Sequence, residues 1–260
     1  KPLYPFGYGL SYAKFEYSDF DVKENGDVIS VSLDVTNVSE TDSDEVVQIY
    51  FRMENPSVKR PLRQLVAFAR ERIECGRTRH FEFDIKKSEL RFYDVSRERF
   101  AVEQGRYTFM AGASSEDIRL TKTIDVSGEI IPPRELCKGV KAKNYDGKYG
   151  TKMKYSKKLE QHYMLGGGLI YNNCVLGEAD SIEIVCGSRV NTGKITVRYG
   201  GETLCEAEVK PTVDVTEFET VTAQFDKAVL AGIDREKPAV FELWMPEQIY
   251  ICLLYTSDAA

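Results

Sequence analysis

The side chains that most often do chemistry are sparse in this sequence and keep little company. There are two histidines, His80 and His162, and six cysteines, Cys75, Cys137, Cys174, Cys186, Cys205 and Cys252. No C-x-x-C pair or zinc-ligand spacing occurs among them. His80 adjoins Phe81 in an alternating stretch and is expected to face outward, while His162 falls in a polar loop. A Ser-His-Asp arrangement is therefore not favoured. There is no G-x-S-x-G, and Gly166-Gly167-Gly168 lacks the lysine and helix of a phosphate-cradling loop. Hydrolysis of a glycosidic bond would need two carboxylates held across a cleft. Carboxylates are abundant, Asp94, Glu116, Asp117 and Asp180 among them, but these lie in polar turns or at strand ends and read as solvated surface charge. No residue of the chain is expected to be catalytic.

Binding leaves a different signature. Sugars lay their apolar C–H faces on aromatic rings while their hydroxyls take hydrogen bonds from polar neighbours. Tyr171 follows the glycine run, precedes Asn172-Asn173 and is expected in a loop. It is the leading candidate for such stacking, with local packing at a sandwich edge as the plainer alternative. Phe218, Trp244 and Tyr250 stand at strand positions and read first as core.

These candidates must be positioned by elements that the hydropathy pattern makes β throughout. The chain has 260 residues, 42% hydrophobic and 29% charged, with a net charge of −6. That is the composition of a globular protein of two ordinary domains, and it disfavours nucleic acid or an anionic membrane as partner. No apolar run approaches the roughly 20 residues of a membrane span. Unpaired cysteines in apolar strand patterns behave as small hydrophobes, so reduced thiols and a cytoplasmic parent are expected. Secretion stays open, because the chain opens in mid-motif.

The opening stretch, Tyr4 to Tyr12, alternates Tyr4, Phe6, Tyr8, Leu10 and Tyr12 with Pro5, Gly7, Gly9 and Ser11. Read as extended chain it has one large aromatic face and one bare face. The surface it covers is expected upstream. From residue 13 to 128 short strands follow one another: Phe15 to Val22 with a parity slip at Ser18-Asp19 that reads as a bulge, an Asn25-Gly26 hairpin, then Ile29 to Val35 and Val47 to Met53. Leu65 to Ile73, Phe81 to Ile85, Phe100 to Glu103, Tyr107 to Ala111 and Ile118 to Val126 continue them. Seven or eight such strands indicate an antiparallel, immunoglobulin-like sandwich. Pro132-Pro133 marks a stiff linker over residues 129–135.

Residues 136–252 read as a second antiparallel sandwich, jelly-roll-like, with strands at Ile182 to Cys186, Ile195 to Tyr199, Leu204 to Val209 and Phe218 to Phe225. Val240 to Ile251 reads as its closing hairpin. LLYTSDAA, residues 253–260, shows no strand alternation and is expected to be an artefactual or disordered tail.

The opening KPLYPFGYGLSY followed by KFEYSDF resembles the junction in family-3 glycoside hydrolases where the catalytic part hands over to a fibronectin type III-like domain. RPLRQLVAFARERIECGRT (Arg60 to Thr78), SELRFYD (Ser88 to Asp94) and EQGRYTFMAGASSEDIRL (Glu103 to Leu120) extend that resemblance in order. It implies a parent that hydrolyses β-glucosides or related glycosides with retention, whose nucleophile and acid/base precede residue 1. Residues 1–12 would then be the junction segment from that missing catalytic region. VKAKNYDG (Val140 to Gly147), GGGLIYNNCVLGEADSIEI (Gly166 to Ile184), GKITVRYGG and FETVTAQF are similar, more weakly, to a family-6-like carbohydrate-binding module. By that likeness Tyr171 is the sugar-stacking aromatic, with Asn172 beside it and Phe218 near a stretch that usually bears tryptophan. Around Thr216 the second exposed tryptophan of the usual site is missing. Lys143 stands where a glutamate usually helps to hold calcium, so no cofactor is expected and a structural calcium is disfavoured.

The resemblance thus implies a non-catalytic, carbohydrate-contacting part of a β-glucosidase-type hydrolase, whose partners are a glycan and the upstream catalytic domain and whose parent is compatible with a homodimer. A standalone carbohydrate-binding or adhesion protein of two sandwiches is the alternative. An uncovered aromatic face at the start argues against it.

Overall fold

Alternation of apolar and polar residues at period two forces most of this chain into strands that bury one face. The computed structural model describes residues 3–157, 160–189, 191–212 and 217–257. The protein is all-β with almost entirely antiparallel pairing, and it divides into two compact units, residues 1–94 with 98–131 and residues 95–97 with 132–260.

In the first unit the strands are β1 (Phe15–Asn25), β2 (Val28–Asn37), β3 (Ser43–Met53), β4 (Gln64–Ile73), β5 (Thr78–Lys86), β6 (Phe92–Asp94), β7 (Arg99–Ala101), β8 (Gly105–Gly112) and β9 (Ile118–Val126). They form a three-stranded sheet, β1-β2-β5, and a four-stranded sheet, β4-β3-β8-β9, with β6 and β7 as a separate ribbon. Ile29, Val31, Leu33 and Val35 of one sheet and Val47, Ile49, Phe51, Tyr107 and Phe109 of the other share one buried core. Each such side chain contributes roughly 1.5–3 kcal/mol on burial. The expected bulge is present: the β1–β2 register shifts between Ser18 and Asp21, and Asp19 takes φ 52°. The hairpin also forms, with Asn25 paired to Val28 and Gly26 at φ 64° in the two-residue loop.

The opening stretch departs from the extended reading. It turns at Phe6-Gly7, where Gly7 has φ 76°, and it joins no strand. The turn brings the Tyr4 and Tyr8 rings together at 5.2 Å. Gln48 donates to the Gly7 carbonyl at 3.1 Å and the Ser115 amide to the Phe6 carbonyl at 2.9 Å, so the backbone is fastened to β3 and to the loop after β8.

The second unit is built from β10 (Arg134–Glu135), β11 (Val140–Lys141), β12 (Gly147–Tyr149), β13 (Lys152–Ser156), β14 (Gln161–Val175), β15 (Ser181–Ser188), β16 (Gly193–Tyr199), β17 (Glu202–Val209), β18 (Glu219–Gln224) and β19 (Ala239–Ser257). The long strands β14 and β19 run antiparallel and serve both halves of the sheet. The start of β19 pairs with β16, which pairs with β17, whereas its end pairs with β15, which pairs with β18. The inward side chains of both halves, among them Leu169, Ile184, Val197, Leu204, Leu243 and Ile251, form one core. A short helix, α1 (Lys227–Gly232), is capped by Asp226, whose carboxylate accepts from the Ala228 amide at 2.8 Å. Sequence patterning missed it.

Three expectations for this unit are corrected. Gly166-Gly167-Gly168 is not a loop but the interior of β14, and it carries His162 and Tyr171 into the strand with it. Gly166 and Gly167 have φ 58° and 74°, and a Cβ on Gly167 would lie 2.1 Å from the Tyr149 carbonyl. The glycines are there because neighbouring backbone comes too close for a side chain. Val240 to Ile251 is not a hairpin but part of one strand that passes through Pro246. The register jumps from Gly167↔Met245 to Leu165↔Tyr250, leaving the intervening residues to bulge. Leu253–Ser257 are not a strandless tail: they pair with β15, Leu254 opposite Ile184 and Thr256 opposite Ile182, with Leu254 and Thr256 buried. A threonine at an inward position hid the alternation. Residues 258–260 lie outside the described residues.

Candidate functional site

Of the three residues singled out from sequence, Tyr171 is closed off from any ligand, and Asn172 and Phe218 are half-buried. Tyr171 is fully buried on the inner side of β14, its ring 6.2 Å from that of Phe241. Its hydroxyl donates to the Ala142 carbonyl at 3.0 Å, and burial pushes the phenol well above its ordinary pKa. Asn172 is half-buried, and its backbone N–H donates to Asp146 Oδ2 at 2.7 Å. Asp146 faces the Arg134 guanidinium at 3.4 Å, with both side chains buried. Arg134 also donates to the Asn144 carbonyl at 3.1 Å and lies 5.3 Å from the Tyr171 ring centroid. Tyr171 and Asn172 thus belong to an internal joint that ties β10, β14 and the loop before β12 together. Phe218 precedes β18 and packs edge-on against Tyr250 at 5.0 Å and Tyr163 at 6.1 Å. Thr216 lies outside the described residues.

The same joint bears on the calcium question. Arg134 already supplies beside Asp146 the positive charge that a bound cation would bring. Among the described residues no three His, Cys, Asp or Glu side chains gather to hold a metal ion. Of the carboxylates read as surface charge, Asp94 is in fact buried at the end of β6, while Asp117 is held by Arg119 at 3.0 Å.

What the second unit does expose is the tryptophan that the pattern assigned to the core. Directly opposite residues on paired strands share a face. One row across the sheet reads Tyr149 (β12), Gly168 (β14), Trp244 (β19), Thr196 (β16) and Glu206 (β17). The next row on that face reads Gly147, Ile170, Glu242, Arg198 and Thr203. The rings of Tyr149 and Trp244 are parallel to within 6°, centroids 5.7 Å apart, and remain 54% and 40% exposed. Gly168 makes the arrangement possible, since a Cβ there would meet Trp244 Cε2 at 3.0 Å. The signal in the sequence was a parity one: Trp244 alternates with the buried Phe241, Leu243 and Met245.

In the first unit the exposed feature is the opening segment. Leu3, Tyr4, Phe6, Tyr8, Leu10 and Tyr12 are all exposed, and a groove lined by Phe6, Tyr8, Leu10, Val46, Leu65 and Phe68 runs beside them. The long loop after β3 is held rigid next to this face. Ser57 donates its amide to Glu103 at 3.0 Å, and Arg60, stacked 3.9 Å over Phe92, pairs with the same carboxylate. Tyr107 donates to the Glu103 carbonyl at 2.8 Å.

Residues 45–115 match the family model of the fibronectin type III-like domain. The thermostable beta-glucosidase B of Acetivibrio thermocellus is 36% identical over 135 residues, 50% of this chain and 18% of that protein. The beta-glucosidase of Rhizobium radiobacter is 35% identical over 127 residues, 48% of this chain and 16% of that protein. Among solved structures, the Bifidobacterium adolescentis GH3 beta-glucosidase is similar with a TM-score of 0.47 and 32% identity, over 48% of this chain and 19% of that one. The chain therefore carries a fibronectin type III-like domain, and about half of it is homologous to β-glucosidases. It spans less than a fifth of the length of these relatives.

Proposed function

We propose that this chain is the non-catalytic accessory part of a β-glucosidase-type glycoside hydrolase. Its first unit packs through the opening segment onto the catalytic remainder, and its second unit contacts carbohydrate. The observation that carries this reading is the apolar strip from Leu3 to Tyr12, six large side chains exposed on a segment whose backbone is fastened to the sandwich. Contiguous exposed apolar surface of this kind marks an interaction face, and flexible solvated chain would not need Gln48 and Ser115 to hold it in shape. The relatives' length, five to six times that of the matched part, supplies a body for the strip to meet. The parent reaction is retaining hydrolysis of β-glycosides, carried out by residues outside this chain. Six free cysteines, none of them paired, support a parent that works in a reducing compartment.

Reading the source gene upstream of the codon for Lys1 tests the proposal directly. In-frame coding for a catalytic domain is expected there, and the isolated chain should show no turnover of an aryl β-glucoside above buffer. A start codon immediately before the codon for Lys1, or turnover by the purified chain, would refute it.

A further inference from the structure

We propose that the outer sheet face around Tyr149 and Trp244 binds β-linked, equatorially substituted glycan chains, such as cello- or xylo-oligosaccharides, by stacking. The class of glycan rests on the reading of the chain as a hydrolase accessory part, whereas the place rests on geometry alone. The two rings stack on one another and stay about half open to solvent, which leaves exposed aromatic surface on the sheet, and Gly168 is the bare backbone that lets the indole lie against the strand. A pyranose with equatorial hydroxyls presents a flat C–H face of matching character. Its rim of hydroxyls needs both donors and acceptors. The face supplies them next to the rings: Thr196 directly opposite Trp244, Glu242 and Arg198 in the adjoining row, and Glu206 paired with Lys194 at 2.8 Å. Arg198 is steadied by Thr203, 3.3 Å from its Nε. A nucleic-acid strand would also stack on aromatic rings, but carboxylates on the face and a net charge of −6 repel its phosphates.

Trp244 is the only tryptophan of the chain, so its emission reports on this face alone. Titration with cellohexaose or xylohexaose should change that emission saturably. Tyr149→Ala should weaken binding about tenfold, the loss expected for one stacking partner, with the circular dichroism spectrum and unfolding midpoint unchanged. Glu242→Gln, which keeps the shape and removes the charged acceptor, should weaken it as well. Calorimetric heat should vanish in Trp244→Ala. The proposal is overturned if neither oligosaccharide alters emission or releases heat, or if binding heat survives Trp244→Ala. Either result leaves the accessory reading to stand or fall on the gene and the turnover assay.

Discussion

Replacing Asp146 by alanine should cost the second unit about 4 kcal/mol, because it strands a buried cation. Arg134 and Asp146 have side-chain exposures of 8% and 5% and lie 3.4 Å apart. Without the carboxylate the guanidinium keeps the Asn144 carbonyl and the Tyr171 ring, and its Nε already has no hydrogen-bond partner among the described residues. Removing one member of a buried pair typically costs about 3–5 kcal/mol. The Asn172 backbone N–H loses its acceptor too, worth about 1 kcal/mol. Entry of water would offset part of the sum. Such a loss is a large share of the roughly 5–15 kcal/mol that holds a domain folded. Denaturant unfolding followed by Trp244 emission reads the second unit selectively. The double variant Arg134→Met/Asp146→Leu, which removes both charges, should recover most of the loss. A shift of less than about 1 kcal/mol for Asp146→Ala, or a double variant no better than the single one, would show that the pair is not a buried joint.

Tyr171→Phe should cost about 1 kcal/mol through the lost bond to Ala142, and Tyr171→Ala about 3–5 kcal/mol through a core cavity. The same unfolding assay reads both, and Tyr171→Phe should leave oligosaccharide titration unchanged. His80 has a raised pKa, chiefly because its Nδ1 hydrogen-bonds Asp34 and then because Asp34 and Glu82 are negative. A folded-state value above the unfolded one means the contribution is full below the unfolded pKa and fades as pH rises through the folded one. An NMR titration should place the His80 midpoint above that of an ordinary histidine and return it towards normal in Asp34→Asn; no shift between the two would dismiss the pairing. Burial pushes the Cys174, Cys186 and Cys205 thiols up to about 12 and Cys252 up to about 11, while Cys75 and Cys137 are exposed. A thiol-counting reagent at mildly alkaline pH should therefore find two fast groups in the native protein and six after unfolding. Prompt reaction of more than two would mean that the second core opens readily.

The first unit was nearly legible from sequence because its information is local. Strict alternation over Ile29 to Val35 assigns a face to every residue, the slip at Ser18-Asp19 announces its own bulge, and Asn25-Gly26 closes a two-residue loop with no help from distant residues. Reading failed where a residue type has two uses. Glycines serve turns and close packing alike, so Gly166 to Gly168 looked like a loop and took Tyr171 out to solvent with it, whereas Tyr149 and Glu247 crowd the strand from either side. In the opening segment Gly7 turns the chain, which alternation alone could not show.

Sequence by itself determined that the chain is predominantly strand and that it divides near Pro132-Pro133. A period of two also settles which residues share a face. It does not say which face is covered, because covering depends on strands far away in the chain. Only the tertiary structure could decide that Tyr171 faces a filled interior, with Arg134 and Asp146 closing over it, and that Trp244, of opposite parity to Leu243, faces out beside Tyr149.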